Sequence, residues 1–141
     1  DDAARAPATK RKKPLDSVNA GRWHLARGRF AKARRAFLRA RAGPHRAAAL
    51  TGLAQLEFQQ GHFKLALRYA KAALKAGGGT RARLVAGNAS FRLRNFGRAI
   101  SLYEAVLAKH PKNAEALRAL EAAKAQARKL NPPPPKRANK H

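Results

Sequence analysis

The feature that most constrains the fold of this chain is a short motif that recurs every 33 residues. The motif is a turn, then a Phe, then an Ala three places after the Phe. Its three copies are Gly28-Arg29-Phe30-Ala31-Lys32-Ala33, Gly61-His62-Phe63-Lys64-Leu65-Ala66 and Arg94-Asn95-Phe96-Gly97-Arg98-Ala99. The same offset relates further sets of residues: Gly21, Ala54 and Gly87; Leu25, Phe58 and Phe91; Phe37, Ala70 and Tyr103; Ala40, Ala73 and Val106. Self-similarity at one fixed offset predicts a stack of equivalent structural units.

Each unit has the pattern of two antiparallel helices joined at the turn of the motif. In the second helix, Ala33 and Phe37 lie four residues apart and Ala40 follows after three more, so they form one helical stripe. A small residue on the first helix, such as Gly21, lets the second helix approach closely. No stretch shows the alternation of β-branched residues that a strand requires. The pattern therefore predicts an all-α fold whose core lies between helices.

Seven helices are predicted, with breaks at Gly43-Pro44, at Gly77-Gly78-Gly79 and at Pro111. Their predicted bounds are about 16–27, 30–42, 46–60, 62–76, 81–93, 96–109 and 114–130. Asp16, Thr80 and Asn113 are predicted N-caps, and the last helix is predicted to cover the apolar end of the stack. This gives a helical domain at 15–130 between a disordered basic linker at 1–14 and a disordered, Pro-rich basic tail at 131–141.

Composition excludes several classes of function. With no Cys, the chain can form neither a disulfide nor a zinc site built on thiolates. The five His residues are scattered and the seven carboxylates form no evident acid–base pair, so we predict no enzymatic activity, no metal and no cofactor. No apolar run approaches the roughly 20 residues that cross a bilayer, which favours a soluble chain. Because the sequence begins Asp1-Asp2 and contains no Met, we expect a fragment or processed product of a longer protein.

The chain is strongly basic, with 32 Lys and Arg residues against seven Asp and Glu and a net charge of +25. Residues 14–130 alone carry 24 basic and five acidic residues, so the predicted helices share the charge. Exposed basic positions are predicted along the second helices, at Lys64, Arg68, Lys71 and Lys75 and at Arg34, Arg35 and Arg41. Solvated helix faces often look like this. The scarcity of Asp and Glu equally fits an acidic partner, a polyanion, or a GC-rich genome that favours Arg and Ala codons.

The first unit differs from the later two in its polarity. Trp23 replaces a smaller residue of the later units, and Arg34 and Arg41 replace apolar residues. One interpretation is a polar cap at the start of the stack. The other is an exposed aromatic–cation patch of Trp23 with Arg22, Arg34 and Arg41, the mix of residues that interface hot spots favour.

These motifs make the chain similar to the tetratricopeptide repeat family, over three units in residues 14 to about 113 plus the terminal helix. The residues that carry the resemblance are Gly21, Gly28, Phe30, Ala33, Phe37 and Ala40, then Leu53, Ala54, Gly61, Phe63, Ala66 and Ala73, then Gly87, Phe96, Ala99, Tyr103 and Pro111. The resemblance implies a right-handed superhelical stack of antiparallel helix pairs with a concave groove along the first helices. Two features depart from the family: the period is 33 rather than 34, and the usual aromatic is absent at His24, Glu57 and Ser90.

Transferred to this sequence, the resemblance implies a groove lined by Arg22, Thr51, Gln55, Gln59, Arg81, Asn88 and Arg92, with Val18, Ala26 and Leu84 beside them. Co-chaperone members use two Lys, two Asn and one Arg to clamp a carboxylate. Val18 and Leu84 stand at the two Lys places, which disfavours a chaperone-tail clamp here. Glu57 is expected inside the stack, paired with Arg22 or Arg92. A groove of mixed Arg, amide and apolar character favours an acidic or amphipathic partner segment.

We therefore predict a non-catalytic protein–protein interaction module or scaffold, part of a larger bacterial, cytoplasmic protein. The alternative is nucleic-acid binding by the basic helices and the run Lys10-Arg11-Lys12-Lys13. Such binding depends mainly on phosphates and falls steeply with salt. Association with an anionic membrane surface is a third and weaker alternative.

Overall fold

A computed structural model describes residues 14–136 of the chain, which contain seven α-helices. They are α1 (Pro14–Ala26), α2 (Phe30–Ala40), α3 (Arg46–Gln59), α4 (Phe63–Lys75), α5 (Thr80–Arg92), α6 (Phe96–Lys109) and α7 (Ala114–Leu130). Every predicted helix is present, and each bound lies within two residues of its predicted position. Residues 14–136 contain no strand, so the prediction of an all-α fold is confirmed.

The helices are arranged as pairs stacked along one direction. Each helix packs against the next one in the chain, and short turns make consecutive helices antiparallel. Contacts also run from α1 to α3, from α3 to α5 and from α5 to α7, so the first helices of the pairs form a continuous layer. No Cα atom of α2, α4 or α6 lies within 8 Å of another helix of that set. The layer of first helices is therefore the tight, concave side of the stack, and the second helices form the open, convex side.

The core is built where small residues on first helices meet aromatic rings on second helices. A Cβ added at Gly21 would lie 2.5 Å from the ring of Phe37, and one added at Gly52 would lie 2.3 Å from the same ring. At Gly87 it would lie 2.6 Å from the ring of Tyr103. Phe37 and Tyr103 are fully buried, so these rings have no room to move aside. The prediction that small residues admit the second helix is confirmed.

The turn inside each pair has the same geometry in all three units. Gly28 and Gly61 have positive φ angles of 72° and 84°, and Arg94, at the equivalent position, has 65°. The residue after each turn donates its amide to a carbonyl of the first helix: Arg29 to His24, His62 to Glu57 and Asn95 to Ser90, at 2.8–2.9 Å. This is the Schellman pattern that ends a helix on a left-handed residue. Phe30, Phe63 and Phe96 each begin the following helix, as the offset of 33 residues requires.

The helix N-caps follow the predictions only in part. Asn113 caps α7, because its Oδ1 accepts a hydrogen bond from the amide of Ala116 at 2.9 Å, and this prediction is confirmed. The prediction for Thr80 is wrong, since Thr80 is the first helical residue and Gly79 holds the N-cap position. Asp16 lies in the first turn of α1, because that helix begins two residues earlier at Pro14, where a helix needs no N–H donor.

The last helix covers the end of the stack, as predicted. Ala116, Leu120 and Ala123 of α7 are buried in one cluster with Tyr103 and Leu84. Polar and charged residues occupy much of the opposite face of α7, which suits a terminal helix. Residues 1–13 and 137–141, which include the run Lys10–Lys13, lie outside the described residues. Among the described helices, none has the length and apolarity that a membrane span requires.

Candidate functional site

The concave layer contains a cavity of about 550 Å³ between α1, α3 and the start of α5. Arg22 of α1 and Arg81 of α5 lie on its two sides, with Thr51 and Gln55 of α3 between them. The other residues that line it are Gly and Ala, among them Gly52. Their small size leaves open space between the polar side chains. A groove of this size takes several side chains of a bound segment.

A second, smaller cavity of about 270 Å³ continues along the same layer. Gln55 and Arg81 line both cavities, and Gln59 and Asn88 join them in the second. We call the two cavities together the concave groove. It is lined by six of the seven residues that the family resemblance implied: Arg22, Thr51, Gln55, Gln59, Arg81 and Asn88.

The remaining predicted groove positions lie elsewhere. Arg92 lines neither cavity, and its guanidinium carbon lies 4.4 Å from the centre of the Phe63 ring, in a cation–π contact. Val18 and Leu84 are buried in core clusters, so their placement beside the groove is wrong. Val18 packs against Ala40 of α2, and Leu84 packs against Tyr103 of α6, so both face a second helix rather than the concave surface. Ala26 is exposed near the end of α1.

Hydrogen bonds from the core fix the orientation of the groove amide Asn88. The hydroxyl of Tyr103 donates to Oδ1 of Asn88 at 2.6 Å, and Nδ2 of Asn88 donates to Glu115 at 3.4 Å. Burial, together with the charge of Glu115, raises the pKa of Tyr103 to about 12, so the phenol keeps its proton. Glu115 also lies 3.4 Å from Arg81. Glu115 was not among the predicted groove residues, because α7 lies outside the repeated units from which those residues were transferred.

The electrostatics of the concave groove are dominated by its two arginines. Arg22 forms no ion pair with any described residue, and Arg81 shares only the half-exposed Glu115. Guanidinium groups donate in a planar fork that matches a carboxylate. The groove can therefore bind carboxylates, while Gln55 and Gln59 offer hydrogen bonds to a peptide backbone.

Glu57 is buried at the junction of the first and second units, but the predicted pairing with Arg22 or Arg92 is wrong. Its Oε2 accepts hydrogen bonds from Arg34 at 2.9 and 3.3 Å, and its Oε1 lies 2.8 Å from Nδ1 of His62. Burial alone would raise the pKa of Glu57, but the hydrogen bonds from His62 and Arg34 outweigh it and hold this pKa below its ordinary value. Arg34 reaches Glu57 because α2 packs directly on α3.

The aromatic patch at the start of the stack has different members from those expected. Trp23 is 48 % exposed. Its cationic neighbours are Arg27, 3.8 Å from the ring centroid, and Arg29, 5.1 Å away, not Arg22, Arg34 or Arg41. Spacing contained the signal, since Arg27 follows Trp23 by four residues and so shares its helix face.

The predicted basic surface lies along the second helices. Lys64, Arg68, Lys71 and Lys75 are exposed on α4, and Arg35 and Arg41 are exposed at α2. Arg34 does not belong to a free basic surface, because Glu57 pairs with it. Within residues 14–136, no three His, Asp or Glu side chains are grouped closely enough to hold a metal ion.

Stacked helix pairs with a side-chain-lined concave groove define a helical repeat protein of the solenoid class. Two family models described as tetratricopeptide repeat match residues 18–83 and 80–125. The chain belongs to the tetratricopeptide repeat family, which confirms the resemblance read from the sequence. No curated protein matches the sequence.

Solved structures agree with this family. The first tetratricopeptide domain of human RPAP3 is 25 % identical with a TM-score of 0.78, covering 84 % of this chain and 96 % of its own. The first such domain of Spaghetti (RPAP3), bound to the HSP90 peptide SRMEEVD, is 25 % identical with a TM-score of 0.77, covering 82 % and 93 %. The Sgt2 domain from Aspergillus fumigatus, at 20 % identity and a TM-score of 0.77, covers 91 % and 89 % and supports the fold alone.

Proposed function

We propose that this chain is a non-catalytic protein-interaction module that holds an acidic or amphipathic segment of a partner in the concave groove. One observation carries the proposal: Arg22 and Arg81 lie on either side of a cavity of about 550 Å³, with the polar side chains of Thr51 and Gln55 between them. Both guanidinium groups are exposed, so a bound carboxylate needs to displace only water and the weak contact of Arg81 with Glu115.

The complex of Spaghetti with an HSP90 peptide supports an acidic segment, since that peptide, SRMEEVD, ends in three acidic residues interrupted by one Val. This chain departs from the lysine clamp of co-chaperone members, because Val18 and Leu84 are buried where that clamp has its lysines. Its groove cations are arginines on α1 and α5. We therefore propose internal acidic or amphipathic segments as ligands, in preference to a chaperone tail.

Charge reversal in the groove tests the proposal. Arg22→Glu and Arg81→Glu are each expected to weaken capture of the natural partner at least about tenfold, because one charge-assisted pair is lost and a repulsion is added. Arg35→Glu, on α2 and outside the groove, is the matched control and is expected to leave capture unchanged. Circular dichroism verifies that all three variants fold. Undiminished capture by both groove variants contradicts the groove assignment.

Binding of nucleic acid differs from binding of a protein segment in its salt dependence and in the residues that it requires. Phosphate binding through the basic helices weakens steeply with salt and depends on cations such as Lys64 and Arg68 rather than on Arg22. A gel-shift titration with DNA and RNA at low salt measures this directly. Strong retention that survives Arg22→Glu and disappears in Lys64→Glu/Arg68→Glu favours the nucleic-acid alternative over the groove.

A further inference from the structure

A third cavity lies on the side of the stack opposite the concave groove. It measures about 560 Å³ and lies between the second helices α4 and α6. Leu67, Leu74 and Leu102 give it an apolar lining, while Lys71, Lys75 and Arg98 supply cations from both helices. We call this cavity, defined by these six residues, the convex groove.

The convex groove is open because of the spacing of the second helices and the size of one side chain. No Cα atom of α4 lies within 8 Å of one of α6, and Ala86 of α5 lines the cavity between the two helices. The residue 33 places before Leu102 is Tyr69, whose half-buried ring packs against core clusters in both the first and the second units. Leu102 is shorter at the equivalent position, and apolar surface is left accessible beside it.

The cations of the convex groove have no partners within the described chain. The ion pairs among residues 14–136 use the carboxylates of Glu57 and Glu115, and neither is paired with Lys71, Lys75 or Arg98. Lys71 and Lys75 are one helical turn apart on α4, so both add to the positive potential along the same wall of the groove. Arg98 supplies positive charge from α6. An apolar floor with uncompensated cations along its walls is complementary to a ligand that is apolar in the middle and acidic at the sides.

We propose that the convex groove is a second protein-binding site, which takes an acidic amphipathic helix from a partner. Apolar side chains spaced by three and four residues on such a helix project into the floor formed by the three leucines, and flanking Asp or Glu residues pair with the cations on both walls. The observations favour a helix over a membrane, because a lipid surface rests on the rims of a recess and does not reach its floor. This site is separate from the concave groove and does not depend on the proposed function of that groove.

The probe is a fluorescein-labelled helical peptide of about 18 residues, with leucines at i, i+3, i+4 and i+7 flanked by glutamates. Fluorescence anisotropy at about 0.15 M salt measures its binding to the full chain. The wild-type chain is compared with Lys71→Glu/Arg98→Glu, which reverses both walls, and with Leu102→Tyr, which fills the floor as Tyr69 does one unit earlier. Lys64→Glu/Arg68→Glu, on α4 but outside the groove, reverses two charges as the wall variant does and is the charge-matched control. A scrambled peptide of equal composition and vesicles with phosphatidylserine are the competing ligands.

We expect the amphipathic peptide to bind, with about tenfold weaker affinity for the wall and floor variants and no change for Lys64→Glu/Arg68→Glu. Amide chemical shifts should change on α4 and α6 and stay unchanged at Arg22 and Arg81. The proposal is overturned if the amphipathic peptide fails to bind, if the scrambled peptide binds equally, or if Lys64→Glu/Arg68→Glu weakens binding as much as the wall variant. Vesicle binding without peptide binding overturns it in favour of a membrane surface.

Discussion

Arg34 and Glu57 form the ion pair that joins the first repeat unit to the second, with 2.9 Å between Nη2 and Oε2. In the next junction, 33 residues on, the equivalent residues are Leu67 and Ser90, and both are buried. One stack thus contains two solutions to the same packing problem, one ionic and one largely apolar. The unusual arginine of the first unit is therefore neither a free cation nor a simple polar cap, because it compensates a buried carboxylate.

Removal of one partner of this ion pair should destabilise the fold more than removal of both partners. Arg34→Leu leaves Glu57, which is 3 % exposed, with His62 as its remaining partner. We expect a loss of about 2–3 kcal/mol in the free energy of unfolding, below the ~3–5 kcal/mol of a fully buried pair because Arg34 is about one-third exposed. Adding Glu57→Gln should recover about 1 kcal/mol, since no unpaired charge remains. Urea denaturation of the four species in a double-mutant cycle measures the coupling, and simple additivity contradicts it.

Because Glu57 is ionised in the folded chain, we expect the fold to lose stability at acidic pH. The pKa of Glu57 is lower in the folded chain than its ordinary value of 4.5, so folding favours the ionised form. Its contribution is fully present above this ordinary value and is lost as the pH falls through the lower, folded-state pKa. The unfolding free energy of the wild-type chain should therefore fall relative to that of Glu57→Gln only below about pH 4.5. Denaturation curves of both proteins from about pH 3 to pH 7 test this, and parallel curves contradict it.

Two glycines make a matched test of how closely the helices approach. Gly87→Ala places a Cβ 2.6 Å from the buried ring of Tyr103 and should destabilise the fold by about 1–3 kcal/mol through overpacking. Gly97→Ala, in α6, meets no atom within 4 Å and should stabilise it by about 0.5–1 kcal/mol through helix propensity. Thermal unfolding of both variants compares the two effects. Equal effects contradict the close contact of α5 with α6.

The sequence predicted the parts of the fold that depend on backbone position. An offset of 33 residues identifies which residues occupy equivalent places, and therefore which small residues meet Phe37 and Tyr103. It does not identify the partners of long side chains. Arg34 reaches a carboxylate 23 residues away in the chain, and Arg92 stacks on Phe63 of another helix instead of lining the concave groove. Those choices depend on the rotation of each helix about its axis, which a periodic pattern defines only coarsely.

The same reasoning explains the groove predictions. Six family-implied residues line the concave groove, while Val18 and Leu84 are buried although each lies one helical turn before a groove residue, Arg22 and Asn88. A helix that rotates about its axis by less than the angle between two successive residues moves such a side chain from the surface to the core. The contribution of Glu115 was beyond the repeat pattern, because α7 belongs to no complete unit.

Replacement of the turn residue Arg94 by glycine should stabilise the fold. It has a φ angle of 65° where the equivalent residues are glycines, and a side chain in this left-handed region costs about 1–2 kcal/mol. Arg94→Gly should therefore raise the unfolding free energy by about 1 kcal/mol, less the entropy that glycine adds to the unfolded chain. Gly61→Ala, at the equivalent turn, should lower it by a similar amount. Chemical denaturation reports both, and a destabilised Arg94→Gly shows that the contact of the Arg94 guanidinium with the Phe96 ring, 5.5 Å from its centroid, outweighs the backbone strain.

Tyr103 links the core to the concave groove through its hydrogen bond to Asn88. Because its pKa is raised to about 12, the phenol donates to Oδ1 of Asn88 at all physiological pH values, and the Asn88 amide nitrogen is directed toward Glu115. Tyr103→Phe keeps the ring between the helices but releases the amide. We expect a loss of about 1 kcal/mol in stability and about threefold weaker binding of an acidic segment in the concave groove, because the amide then samples both orientations.

The matched control for this variant is Tyr69→Phe, since the Tyr69 hydroxyl forms no hydrogen bond with any described residue and lies outside the concave groove. It should change neither stability nor binding measurably. Adding Asn88→Ala to Tyr103→Phe separates the two roles of the hydroxyl. If Tyr103 acts by orienting Asn88, the double variant binds no more weakly than Asn88→Ala alone. If the two losses add instead, the hydroxyl affects the groove by another route and the proposed link is wrong.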